Sequence, residues 1–234
     1  KLADGLRAEK SQSYSASVNY DNATEKYIVG FTLEGFNTRL NDAFVLEESG
    51  NDEFGLIYEK RNSSGSVVKG ITLEIRGNYR RKIQLEAGYT LQSSNFVSPV
   101  SYSGSLDSRK NYLRTPDSYG YYTLTINTGK VISASLSGIY TGTMEILHAA
   151  GAPENPLTDK ILTTPSFFEN NLKVSFLTKI RSFNSGIETS AGIKNLFNEY
   201  QNDFDTGKNR DSNYIYGPAF PRMFYLSIKL KSIN

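Results

Sequence analysis

The sequence predicts an all-β fold, an antiparallel transmembrane β-barrel, on three observations. Apolar and polar residues alternate with period two along most of the chain, and helical periodicity is nearly absent. The connections between alternating runs are also sorted by length, short and long in strict turn. Composition agrees: only 38% of residues are hydrophobic, yet they include 16 Tyr and 13 Phe, with 19 Gly and no Trp. Low hydropathy with many aromatics suits strands better than helices.

The strands follow in chain order. Tyr14, Ala16, Val18 and Tyr20 share one face of the first, and Tyr27, Val29, Phe31 and Leu33 one face of the second. In the third, Val67, Ile71, Leu73 and Ile75 oppose Thr72, Glu74 and Arg76. The fourth is the cleanest, with Ile83, Leu85, Ala87, Tyr89 and Leu91 against Gln84, Glu86, Gly88 and Thr90. Tyr122, Leu124 and Ile126 mark the fifth, and the run from Ile132 to Ile146 the sixth. Phe168, Leu172, Val174 and Phe176 mark the seventh, Ile187, Ala191 and Ile193 the eighth, and Phe224, Leu226, Ile228 and Leu230 the ninth. The runs at 26–47 and 131–147 exceed the roughly 9–11 residues that cross a bilayer, so they are expected to project beyond it.

Short turns fall in "YDNATEK", "GNYRRK", "NTGK" and "RSFNSG", and long polar loops near 48–65, 95–118, 148–166 and 198–221. Outer-membrane barrels sort their loops this way, with short periplasmic turns and long outer loops. In hydrocarbon every backbone group needs an internal partner, so the sheet must close and its outward side chains must be apolar. Aromatics at strand ends (Tyr20, Tyr27, Tyr79, Tyr119, Phe167, Phe168) are expected to form interfacial girdles. Glu74, Glu86, Arg76 and Lys173 are expected on the inner wall. Nine strands is an odd number for a bacterial barrel, so further strands must complete the wall. The competing reading is a soluble β-sandwich binding or adhesion domain, whose apolar face would be buried under a second sheet.

Lys and Arg exceed Asp and Glu by only 26 to 24, which argues against a nucleic-acid partner. The absence of cysteine rules out disulfides and thiolate metal sites, and a single histidine leaves no catalytic triad to assemble. No enzyme activity and no cofactor are expected. The polar start without Met suggests a piece of a longer protein.

Specific stretches then resemble those of TonB-dependent outer-membrane receptors, and the resemblance covers essentially the whole chain. "GLRAEKSQSY" (Gly5 to Tyr14) is similar to the family's Leu-x-Pro-Glu-x-Ser segment, with Ala8 in place of Pro. "GITLE" (Gly70 to Glu74) and "LEAGYT" (Leu85 to Thr90) resemble a descending and ascending pair, and "LRTPDSYGY" (Leu113 to Tyr121) an Arg-x-Pro approach to a strand. "GIKNLFNEYQ" (Gly192 to Gln201) resembles the penultimate-strand motif, and "RDSNYIYGPAFPR" (Arg210 to Arg222) the approach to the final strand. The chain ends "KLKSIN", where such barrels often end on an aromatic residue.

The resemblance implies that residues 1–234 are the C-terminal part of a plugged barrel of about 22 strands, roughly its last nine. Plug and earlier strands would lie outside this chain. It implies residence in the bacterial outer membrane and active import of a large, scarce nutrient, energised through TonB. A cobalamin or ferric siderophore fits better than haem, because a second histidine is lacking. The implied partners are the rest of the receptor, TonB through the plug, outer-membrane lipid, and a surface lipoprotein capping the outer loops.

Candidate ligand contacts sit in those loops. His148 is a potential metal-chelate contact, with a plain loop role as the alternative. Arg210 and Arg222 bracket the aromatic group Tyr214, Tyr216 and Phe220, a mix that binding surfaces favour but that also serves as scaffold. "DFDTGKNRD" (Asp203 to Asp211) has an Asp-x-Asp-x-Gly spacing that makes Asp203 and Asp205 a weak Ca²⁺ candidate. The twelfth position of an EF-hand loop would be Tyr214 rather than a carboxylate, and turn chemistry explains the same residues.

Overall fold

A computed structural model describes residues 1–129, 131–150, 159–180, 185–208 and 210–232. The turn at 181–184, Lys130, Asn209, the end at 233–234 and residues 151–158 of the long loop near 148–166 lie outside the described residues.

Nine strands form one continuous antiparallel path: β1 (Lys10–Ala23), β2 (Tyr27–Asn41), β5 (Ser66–Tyr79), β6 (Ile83–Val100), β8 (Ser118–Asn127), β9 (Ile132–Thr141), β12 (Phe167–Ile180), β13 (Ser185–Lys194) and β14 (Met223–Ser232). They are the nine runs of the alternation pattern, each paired with its neighbours in sequence along the path. The short β7 (Arg109–Asn111) adds to the outer end of β6. Two hairpins stand outside this sheet, β3 (Phe44–Asp52) with β4 (Gly55–Asn62) and β10 (Glu145–His148) with β11 (Lys160–Thr163).

Register carries the apolar face from strand to strand. Leu85 faces Leu124, then Leu136, Leu172, Ile193 and Phe224, a row that crosses six strands. These side chains are not covered by a second layer: Leu226, Ile228 and Leu230 are each 72% exposed, and Val18, Ile71 and Val174 are exposed too. An apolar patch this continuous is untenable in water, so the sandwich reading fails. This side meets lipid.

The opposite face is polar and internally satisfied. Thr72 pairs with Thr90 and Ser175 with Ser190, each at 2.9 Å, and Thr32 donates to Asn19 at 2.6 Å. Arg76 forks onto Asp21 at 2.8 and 2.6 Å and also reaches Thr32 at 3.1 Å. Tyr121 donates to Glu74 at 3.3 Å, and Glu188 pairs with Lys231 and, at 3.9 Å, with Lys173. Of the expected wall charges, Arg76 thus pairs with Asp21, Lys173 with Glu188, and Glu74 accepts from Tyr121, all on the polar face. Cross-strand pairs of this kind contribute roughly 0.2–1 kcal/mol each.

Three expectations need correction. The run at 26–47 does not continue as one strand, because Asp42 adopts φ 55 and turns the chain into β3. The run at 131–147 likewise ends at Thr141, after which β10 folds back to bury Ile146 against Phe167 and Tyr216. The strand with the greatest reach is β6, with 18 residues. Finally, Tyr119 and Phe167 do not join the girdle, since the register Thr90, Tyr119, Thr141, Phe167 puts both on the polar face. One residue of parity decides this.

A buried polar side chain also sits among the apolar rows of the lipid-facing side. Asn170 lies in the apolar row beside Gly138 and Tyr122, yet is only 2% exposed. The Tyr122 ring lies over Gly138 and donates its hydroxyl to Asn170 Oδ1 at 2.6 Å, while Asn170 Nδ2 donates to the Phe168 carbonyl at 2.9 Å. Only a residue without a side chain leaves the ring that path: a Cβ on Gly138 would sit 2.2 Å from the Tyr122 Cε1.

Candidate functional site

The connections between β2 and β5, β6 and β8, β9 and β12, and β13 and β14 leave from one rim of the sheet, and their described residues pack into a cap. The last of them, 195–222, holds most of the candidate residues. Its exit from β13 is set by Asn195 and Asn198, at φ 49 and 58, a left-handed conformation asparagine tolerates. Asn195 is 1% exposed. Its Oδ1 accepts from Glu199 N–H at 2.8 Å, and its Nδ2 donates to the carbonyls of Glu199 and Phe220 at 2.7 and 2.9 Å. One side chain thereby ties the start of the loop to its end.

Gln201 repeats the device deeper in the loop. It is 2% exposed, donates to the Tyr214 carbonyl at 3.2 Å and accepts from Tyr216 N–H at 2.8 Å. The two tyrosines are then pinned at their tips, donating to Asp203 Oδ2 and Oδ1 at 2.6 Å each. Tyr216 packs on Phe167 with ring centroids 6.0 Å apart, and Ile146, Met144 and Leu162 fill the remaining space. Burying such side chains contributes roughly 1.5–3 kcal/mol apiece.

His148, at the end of β10, stacks on Tyr214 at 3.9 Å between centroids, and its Nε2 lies 2.9 Å from Asp205 Oδ2. The same oxygen accepts from Asp211 N–H at 2.9 Å. Asp211 accepts from Ala149 N–H at 2.9 Å and Asn213 N–H at 2.8 Å. The structure therefore brings together His148, Tyr214, Tyr216, Asp203 and Asp205. Arg210 and Arg222 stay apart from them: Arg210 donates to the Gly207 carbonyl at 3.2 Å, and the exposed Arg222 makes no ion pair among the described residues.

Three of the four carboxylate oxygens of Asp203 and Asp205 are engaged by phenol, imidazole or amide groups. Among the described residues no cluster of three or more His, Cys, Asp or Glu is placed to hold a metal. The arrangement is a hydrogen-bonded loop fastener.

The arginine that does hold the loop is Arg114. Its Nη1 donates to the Ile215 carbonyl at 2.8 Å and its Nη2 to that of Asn213, while its own N–H bonds Glu145 O at 2.7 Å. The "LRTPD" segment flags it locally, but its partners are about a hundred residues away and no local signal names them. Asn195 and Gln201 lie inside the Gly192 to Gln201 motif, which likewise does not name their partners.

Between β6, β7 and β10 lies an open polar groove of about 360 Å³, lined by Ser94, Asn95, Asn111, Thr115 and Glu145 among others. Glu145 is held there by Arg109 at 3.0 Å. The neighbouring β3–β4 hairpin is anchored by Val45 on Phe96 and Val100, with Tyr112 stacked on Phe96 at 4.2 Å.

Burial alone would raise the carboxyl groups of Asp203 and Asp205. The hydrogen bonds from Tyr214, Tyr216 and Gln201 on one, and from His148 and Asp211 on the other, outweigh it and leave both below the ordinary 3.8. Burial, and then the bond to Asp203, push the Tyr214 phenol up to about 12 and Tyr216 further in the same direction. A depressed carboxyl stabilises the docked loop above its undocked pKa, and that contribution is lost as pH falls through the docked value. The loop is therefore expected to stay docked at neutral and mildly acidic pH and to release only below about 3.8. Limited proteolysis of 203–216 against pH checks this, and release already near neutrality would contradict it.

A family model described as TonB dependent receptor-like, beta-barrel, matches residues 2–196. Among solved structures, the ferric-catecholate import receptor Fiu of E. coli K12 aligns with TM-score 0.63 and 17% identity, over 99% of this chain and 30% of that one. The siderophore receptor PirA of Acinetobacter baumannii aligns with TM-score 0.61 and 16% identity, over 95% and 32%. The copper transporter OprC aligns with TM-score 0.61 and 15% identity, over 98% and 32%. The chain thus spans about a third of the length of these structures. Comparison with curated proteins finds no match.

Proposed function

The chain belongs to the TonB-dependent receptor β-barrel family, whose place is the bacterial outer membrane, and from that membership we propose that it forms part of the wall and outer cap of an importer of metal chelates. The cargo class is a ferric siderophore or a related chelate, cobalamin included, with transport energised through TonB and a plug in the barrel. The neighbours named for ferric-catecholate import, siderophore reception and copper transport support a metal-bearing cargo. The observation that carries the reading is the rim, where separate connections are welded into one cap beside a polar groove of about 360 Å³. Hydroxyl groups such as those of Ser94 and Thr115 suit a chelate rich in oxygen atoms.

Of the five candidate ligand residues, His148, Tyr214 and Tyr216 act as scaffold, and the exposed Arg210 and Arg222 are the two open to a negatively charged chelate. Residues 1–234 are the C-terminal part of the barrel, completed by the plug and the preceding strands. A surface lipoprotein covering the cap is a further partner of this reading.

The test uses the full receptor in outer-membrane vesicles. Iron-loaded catecholate, copper-loaded chelate and cyanocobalamin are offered in turn, and retention of at least one, above its metal-free form, is the expected result. In cells, uptake of that cargo should collapse when the inner-membrane proton gradient is dissipated. Retention of none, or uptake indifferent to the gradient, overturns the reading.

A further inference from the structure

The lipid-facing side of β1, β2, β5 and β6 changes character above its apolar belt, towards the rim that carries the long connections. The outward position after Ile71 on the way to the rim is Lys69, opposite Asn37 on β2. One outward position further up β2 is Arg39, opposite Gln12. One further up β1 is Lys10, opposite Asn41. Each cation is the diagonal neighbour of the next, and such neighbours lie about 7–8 Å apart. The three form an oblique line across three strands, and all are exposed.

No carboxylate shares these outward rows, whose other members include Gln12, Asn37, Asn41, Ser93 and Asn95. Among the described residues none of the three cations has an ion pair, and Arg39 only donates its Nε to Asn41 at 3.2 Å. The acids closest in sequence are engaged elsewhere: Asp42 pairs with Arg7 at 2.6 Å, and Glu9 accepts from Phe44 N–H at 2.7 Å. Cations on the lipid side of a barrel are destabilising unless they reach the headgroup zone, and three without a counter-charge leave a positive strip there.

Directly below the strip the wall is notched. A groove of about 680 Å³ opens where Ala16 and Gly35 are paired in register, walled by Tyr14, Ile71 and Leu91, with Lys69 at its upper end. A Cβ on Gly35 would meet nothing within 4 Å, so the space is open. Apolar below and cationic above, this surface is complementary to an amphiphile with acyl chains and a phosphate-bearing head.

We propose that the outward face of β1, β2, β5 and β6 is a seat for an anionic acylated lipid of the outer leaflet, its chain in the Ala16–Gly35 notch and its phosphate on Lys10, Arg39 and Lys69. This rests on the outer-membrane placement of the chain and not on what is imported. The full receptor is reconstituted into phosphatidylcholine vesicles doped with phosphatidic acid, extracted, and its retained lipid counted by native mass spectrometry. The wild type is expected to retain phosphatidic acid over phosphatidylcholine. The K10Q/R39Q/K69Q variant should retain it about a hundred-fold less, at roughly five-fold per cation. Gly35→Leu, which fills the notch and leaves the cations, should also lose the lipid while gaining no phosphatidylcholine. Inorganic phosphate should compete poorly, since it lacks the chain.

Heat-modifiable mobility on gels verifies that each variant is folded, and cargo retention should be unchanged in both. Equal retention of phosphatidic acid by wild type and triple variant overturns the proposal. So does competition by inorganic phosphate as strong as that by the lipid, or a co-purifying lipoprotein whose loss in the triple variant accounts for the strip.

Discussion

Asn195→Ala is expected to undock the last long loop while leaving the sheet beneath it paired. The substitution removes three hydrogen bonds from a side chain that is 1% exposed and strands the Phe220 carbonyl and both backbone groups of Glu199. At about 1 kcal/mol per net bond, with about 1 kcal/mol more for alanine at φ 49, the docked loop loses about 4 kcal/mol. That is roughly a thousand-fold in the ratio of closed to open. Hydrogen exchange should show lost protection at the Tyr214 and Tyr216 amides, with β13 and β14 unchanged. Asn195→Asp keeps the acceptor for Glu199 N–H but loses both donors, so it should fall between. Full protection in the alanine variant would mean that Asn195 is not the tie.

Gly138→Val should be the most damaging single change in the wall. A valine Cβ would sit 2.2 Å from the Tyr122 ring and 3.0 Å from Asn170 Oδ1, so the ring must leave. Asn170 then faces hydrocarbon without its hydroxyl partner, where an unsatisfied polar group costs several kcal/mol. The full receptor should show a sharply reduced folded band by heat-modifiable mobility. Tyr122→Phe isolates the hydrogen bond and should cost only about 1–2 kcal/mol. Adding Tyr122→Ala to Gly138→Val should relieve the clash but not the orphaned amide, and so rescue in part. A fully folded Gly138→Val receptor would show that the ring has another resting place in lipid.

The wall was legible because its signal is local. A residue such as Leu85 is apolar and its neighbours Gln84 and Glu86 polar whatever the rest of the chain does, and all nine strands could be read from that alternation. Beyond the bilayer the rule has no solvent to enforce it. The breaks at Asp42 and after Thr141 were therefore invisible, and so were the hairpins they start. Tyr119 and Phe167 misled for a related reason: aromatic residues at strand ends look alike from both faces, and only register separates them.

The site was legible in composition and not in wiring. Tyr214, Tyr216 and His148 were all singled out, but the sequence could not say that they pack on one another. The bond from His148 to Asp205 spans 57 residues. Arg210 and Arg222 drew attention by proximity to the tyrosines, whereas Arg114, separated by 101 residues from its partner Ile215, does the fastening.

That separation sets an order of events. Each pair of neighbouring wall strands can zip as the second emerges, because the partners are adjacent along the sheet path. The roof has no such freedom: Arg114 and the stretch around it must wait for residues 213–215, near the far end of the chain, before their guanidinium and carbonyl groups meet. Contacts this distant in sequence form late. The last long loop therefore acts as a keystone, and until it drops into place the roof above these nine strands stands open.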